Sequence, residues 1–189
     1  MILTDIISPV RYLINDNATG GSDIFTYTPT NRVFTLTENN PIAISGVEIN
    51  ASEIDDSMWS FDSIYNTVTV ISSMSSGDTV RIIYTYYPNY SNTEIENYIR
   101  AAVIHLSVNN YYTFTVDTDK EVYPTPNDQE ANLIAMIAAV LIEPDNKTYR
   151  LPDISISVPT GAISTDIKIR NMIAIMKKNT HGVFFMTTF

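Results

Sequence analysis

The sequence predicts an α+β protein: a small α-helical bundle of an N-terminal helix plus about three longer helices, with an inserted antiparallel β-sandwich or barrel of five to six strands and an extended C-terminal tail. Three observations predict it. Apolar residues alternate with period two from Phe25 to Tyr87, they recur three and four apart on either side of that stretch, and two capping boxes mark where the helical period resumes. The expected divisions are 1–19 for the N-terminal helix, 20–90 for the inserted β-domain, 91–178 for the rest of the helical domain, and 179–189 for the tail.

Within "TDIISPVRYLINDN", Ser8 is suited to an N-cap and Pro9 to the first helical position, with Val10, Leu13 and Ile14 as the apolar stripe. "NATGGSD" then reads as a turn at Gly20 and Gly21. Phe34 and Leu36, Val68 and Val70, and Val80, Ile82, Tyr84 and Tyr86 each alternate with polar neighbours, as half-buried antiparallel strands do. The apolar phase shifts across Ser45 and Gly46, which makes that pair a hairpin turn or a bulge. Turns are also expected at 39–40, 55–56, 65–66 and 75–78.

"SNTE" places Ser91 at an N-cap with Glu94 three residues on, and Ile95, Ile99, Val103 and Leu106 follow on one helical face that runs to about Tyr111. "NDQE" repeats the signal with Asn127 and Glu130, and opens a helix apolar round most of its circumference, stopped by Pro144. "YRLPDISISVPTGA" alternates briefly and suggests an extended segment or hairpin arm. "STDIKIRNMIAIMKK" is a third long helix, with Ser164 or Thr165 at its N-cap and Lys177 and Lys178 where the macrodipole favours cations.

At 189 residues the chain is long enough for one good core, or for a compact domain with an insertion. Its 44% apolar and 17% charged residues describe a folded soluble protein. No run approaches the roughly 18 apolar residues that span a membrane, and "MILTDIISPV" lacks the basic lead of a secretory signal, so no membrane partner is expected. The absence of cysteine excludes disulfides and thiolate chemistry. Charge is unevenly divided. Residues 1–146 hold 5 Lys/Arg against 19 Asp/Glu, a balance of −14, whereas 147–189 hold 6 against 2, or +4. An acidic body argues against general phosphate-backbone binding, and its basic end permits head-to-tail contact between copies.

Motifs for chemistry are missing: there is no phosphate-binding Gly-rich loop, no nucleophile elbow and no His-Glu-x-x-His pair, and no cofactor is expected. His105 reads as a packing or surface residue of a helix. "DTDKE" at 117–121 lacks the glycine and bidentate Glu of a calcium loop. Asp55 and Asp56 sit in turn context with no partner acid, and Trp59 with its aromatic neighbours reads as sheet core before it reads as a sugar platform.

The succession of a short helix, "FTLTENNPIAISGVEIN", "WSFDSIYNTVTVISSMSSGDTVRIIYTYYPNYS" and "TEIENYIRAAVIHL" resembles the head-tail connector (adaptor, or head-completion) proteins of tailed bacteriophages, over roughly residues 4–145. The β-insertion departs from the simplest members. The resemblance implies a non-enzymatic virion protein of the neck, assembled in the host cytoplasm. It implies a ring of about twelve copies that docks on the portal protein, meets a tail-side neck protein, and leaves a channel through which DNA passes without sequence-specific binding. Lys168, Arg170, Lys177 and Lys178, followed by Val183, Phe184, Phe185, Met186 and Phe189, are the candidate portal-side attachment. A stopper, a tail terminator, or a carbohydrate- or receptor-binding β-module of a virion remain the alternatives.

Overall fold

A computed structural model describes residues 1–144, 148–151, 154–157 and 164–184, with the backbone alone at 148–149, 154–157 and 178–184. The chain is α+β, with four helices and antiparallel sheets of four, three and two strands. It divides into two compact units, Met1–Asn15 with Asn92–Phe189, and Asp16–Ser91.

The helical unit opens with α1, Leu3–Leu13. This start lies well before Ser8, so the expected cap is corrected: Pro9 falls inside the helix, where its missing N–H and ring clash cost about 3 kcal/mol. The cost is outweighed because Leu3, Ile6, Ile7, Val10 and Leu13 are all buried on one stripe, each worth about 1.5–3 kcal/mol. Asp5 Oδ2 accepts from the Ile2 N–H at 3.1 Å, the one half of a capping box that an isoleucine start allows. Arg11, itself buried, donates to Asn92 Oδ1 at 2.8 Å and ties α1 to the start of the next helix.

Helix α2 spans Asn92–Val108 and buries the expected Ile95, Ile99, Val103 and Leu106. It ends before Tyr111 because Asn110 takes a left-handed φ of 53°, while the N–H groups of Asn110 and Tyr111 return to the carbonyls of Ser107 and Leu106 at 3.1 Å each. That pair of bonds closes a Schellman turn, for which asparagine is the usual substitute for glycine. Strands β8 (Thr115–Val116) and β9 (Val122–Tyr123) form a hairpin whose loop is the "DTDKE" run. Asp117 Oδ1 accepts from the N–H groups of Asp119 and Glu121, at 2.9 and 2.8 Å.

Helix α3, Asp128–Ile142, begins with both bonds of its capping box: Asn127 Oδ1 accepts from Glu130 N at 3.0 Å, and Glu130 Oε2 accepts from Asn127 N at 2.8 Å. Every residue from Leu133 to Val140 is buried, against α1, α2 and the last helix, which makes α3 the axis of this unit. Strands β10 (Thr148–Leu151) and β11 (Ile154–Ser157) form the hairpin arm, and α4 runs Thr165–Phe184. Ser164 is its N-cap, with Oγ accepting from Ile167 N at 3.4 Å. The helical backbone of α4 is described to Phe184, six residues into the segment expected as an extended tail from 179; residues 185–189 lie outside the described residues.

The β-unit has seven strands rather than five or six: β1 (Thr19–Thr26), β2 (Val33–Thr35), β3 (Pro41–Ile49), β4 (Ser52–Glu53), β5 (Trp59–Asp62), β6 (Thr67–Val70) and β7 (Thr79–Tyr86). They form a four-stranded sheet in the order β1-β7-β3-β4 and a three-stranded sheet in the order β2-β6-β5. Side chains from both sheets, including Phe34, Val47, Val68, Val70, Val80, Ile82 and Tyr84, share one apolar cluster. The first and last strands pair antiparallel, Thr19 opposite Tyr86, so the two ends of the unit leave side by side. Buried Asp16 accepts from Asn89 N and Nδ2 at 3.4 and 3.3 Å, which closes the same end. A domain inserted between two consecutive helices needs this adjacency of its ends.

One local expectation changes, and another is decided between its two alternatives. Gly20 and Gly21 lie within β1 rather than in a turn. Ser45 and Gly46 are a bulge inside β3, where the register against β7 shifts between Ile44 and Gly46, and the two-residue turn falls instead at Asn50 and Ala51, both with positive φ.

Candidate interaction surface

The cations expected to meet a partner are divided by the fold. Lys168 is 3% exposed, and its Nζ donates to the Pro144 carbonyl beyond the end of α3. Lys177 Nζ donates to the carbonyls of Asn109 and Asn110 at 3.2 and 3.1 Å, at the C-terminal end of α2, where the dipole favours a cation. Both lysines hold the bundle together. Of the three whose side chains are described, Arg170 alone faces solvent, paired with Asp166 one turn away at 2.8 Å. Around it the outer face of α4 exposes Ile167, Asn171, Ala174 and Ile175. The side chains of Lys178, Val183 and Phe184, and Phe185, Met186 and Phe189 entirely, lie outside the described residues.

A second surface was not read from the sequence. Ile104 and Val108, 62% and 71% exposed, extend along α2 off its buried stripe. With Arg100, Val103, Phe114, Thr115 and Val116, Ile104 lines an open groove of about 390 Å³ between α2 and β8. The signal lay in the four-residue spacing of Arg100, Ile104 and Val108, but the opposite wall depends on the short β8, which propensity does not announce. In the β-unit the β5–β6 turn presents Ile64 and Tyr65 at 84% and 73% exposure. This tip is held rigidly: Asp62 Oδ1 accepts from the N–H groups of Ile64 and Tyr65 at 2.9 and 3.2 Å, Asn66 takes a φ of 53°, and its Nδ2 donates to Asn39 O at 2.9 Å.

Groups considered for chemistry have places in the fold. Asp55 Oδ1 accepts from the Ser57 hydroxyl and N–H at 2.6 and 2.9 Å, capping a 3-10 turn at Asp56–Met58, and those bonds hold its carboxyl below the usual carboxylate range. A carboxyl so held stays ionised and is ill suited to general acid work. Trp59 packs against the apolar cluster with its Nε1 buried and without a hydrogen-bond partner among the described residues. Lys120, in the "DTDKE" loop, reaches Glu96 at 2.7 Å, and its carbonyl accepts from Leu3 N at 2.9 Å, so this loop fastens the start of α1. His105 lies within α2, half-buried. Among the described residues no cluster of His, Asp or Glu has the geometry to hold a metal ion, and no helix is long and apolar enough to cross a membrane.

No protein-family model matches the chain, and no curated protein matches it.

Proposed function

We propose that the chain is a structural, non-enzymatic component of a virion neck, a head-tail adaptor that forms a ring between portal and tail and leaves a channel for DNA. The β-unit is read as a two-sheet sandwich inserted into a four-helix unit, facing partners other than DNA. The observation that carries the reading is the outer face of α4. Ile167, Ala174 and Ile175 are exposed, with Asn171 among them, on one face of a helix that buries Ile169, Met172, Ile173 and Met176 on the other, beside Arg170 and in the one basic region of an acidic chain. Such a face is what a partner-binding helix offers. The acidic body, −14 over residues 1–146, suits a wall past which a duplex slides.

In this reading the portal-side attachment is Arg170 and Lys178 with the apolar Val183, Phe184, Phe185, Met186 and Phe189. Lys168 and Lys177 act indirectly, by fixing α4 on the bundle. The test is deletion of residues 179–189, judged by circular dichroism and by incorporation into particles. A folded protein that no longer joins the particle is expected, and unimpaired incorporation would contradict the attachment. The carbohydrate-binding alternative has less support, because the Trp59 indole N–H is buried, with no hydrogen-bond partner among the described residues.

A further inference from the structure

We infer that the groove between α2 and β8 receives the Ile64–Tyr65 tip of a second copy of this chain. The cations of the acidic body are few and mostly engaged. Of the five Lys/Arg in residues 1–146, four are engaged within the chain. Arg11 bonds Asn92. Arg32 donates to the carbonyls of Val70, Ile71 and Ser72 beneath the Tyr27 ring, Arg81 pairs with Glu48 at 3.5 Å, and Lys120 pairs with Glu96. Arg100 is the fifth, and among the described residues it has no hydrogen bond or ion pair. It stands at the wall of an apolar groove, so the groove suits an occupant with large apolar side chains next to a carboxylate.

The β5–β6 tip has that chemistry. Ile64 and Tyr65 are large and strongly exposed, Asp62 lies two residues before Ile64, and the turn is fixed by its own hydrogen bonds. A rigid apolar tip loses little conformational entropy on docking, and tyrosine is among the residues that dominate protein interfaces. The acidic balance of the body makes Arg100, without a charged partner among the described residues, the natural meeting point for a neighbouring copy. Because the tip and the groove are different patches, the contact is heterologous and propagates from copy to copy, closing into a ring when the rotation allows. The inference rests on the self-assembly proposed above but assigns the interface, which a ring mass alone does not.

The chain has no cysteine, which permits a clean test on the full-length protein. Tyr65→Cys and Ile104→Cys are made separately, both at exposed positions, and mixed under mild oxidation. A cross-linked dimer in the mixture, at least about tenfold above either protein alone and above a Tyr65→Cys with Ile24→Cys control, is expected, since a disulfide needs Cα atoms within about 7 Å. Independently, Arg100→Glu is expected to weaken self-association about tenfold or more in sedimentation, with an unchanged circular dichroism spectrum. No excess cross-link would overturn the inference, even where a ring is observed by mass, and so would cross-linking of Ile104→Cys with itself.

Discussion

Gly21 lies directly opposite Tyr84 in the β1–β7 pairing, and a Cβ placed on Gly21 would meet the Tyr84 ring at 3.1 Å and the Tyr86 ring at 3.2 Å. The glycine is there for those two rings. Its absent side chain lets Tyr84 lie flat on the strand and donate its hydroxyl to Asp23 Oδ2 at 3.1 Å, while the same carboxylate oxygen accepts from Thr37 N at 2.7 Å. Gly20, the next residue, has nothing within 4 Å of a built Cβ. Gly21→Val is therefore expected to destabilise the β-unit by about 1–3 kcal/mol, and Gly20→Ala to be neutral or stabilising by up to about 1 kcal/mol. Urea unfolding monitored by tryptophan fluorescence measures both, since Trp59 reports on this unit.

Ala51 provides a prediction of opposite sign. It sits at φ 63° in the β3–β4 turn, a left-handed conformation that costs a residue with a Cβ roughly 1–2 kcal/mol. Ala51→Gly should raise stability by about 0.5–1 kcal/mol, after the greater unfolded-state entropy of glycine is deducted. A lower urea midpoint for the variant would show that the turn is not strained.

In the helical unit the corresponding test is Lys120 against Glu96. The Glu96 side chain is 10% exposed and both of its oxygens lie within 3 Å of Lys120 Nζ. Removing the lysine leaves a mostly buried carboxylate uncompensated, and Lys120→Met should cost about 1–3 kcal/mol, less than for a fully buried pair because Lys120 is half-exposed. Lys120→Met with Glu96→Gln should cost less than the sum of the single changes, a coupling read from a double-mutant cycle in thermal unfolding.

Tyr84 also sets an alkaline limit. Burial, followed by the hydrogen bond to Asp23, pushes its hydroxyl up to about 12 from an ordinary value near 10. The native state keeps a proton that the unfolded state releases, so this contribution is intact below about pH 10 and is lost as pH rises from about 10 to 12. Tyrosine ring-carbon shifts followed by NMR should show Tyr84 titrating at about pH 12, above the ordinary tyrosine value near 10. In Tyr84→Phe the loss of stability between pH 10 and 12 should be smaller than in the parent.

What the sequence disclosed depended on how local each signal was. The start of α3 was legible because Asn127 and Glu130 satisfy each other three residues apart, and Ser164 before α4 for a similar reason. The cap at Ser8 misled because Pro9 fits the first turn locally, whereas the burial of Leu3, Ile6 and Ile7 against other helices decides the start of α1. Gly20 and Gly21 read as a turn until the Tyr84 ring, more than sixty residues on, supplies the reason for a glycine in a strand. The basic residues of α4 were legible as a patch, yet Lys168 and Lys177 turn inward to carbonyls that only the fold brings near. The groove was hidden for the same reason, since its second wall is a two-residue strand.

Assembly is tested by native mass spectrometry and electron microscopy of the complex that a tagged copy of the chain draws from its native source. A closed ring of about a dozen copies attached to a larger ring is expected. A monomer or small oligomer, retained on a glycan or a cell surface instead, would contradict it.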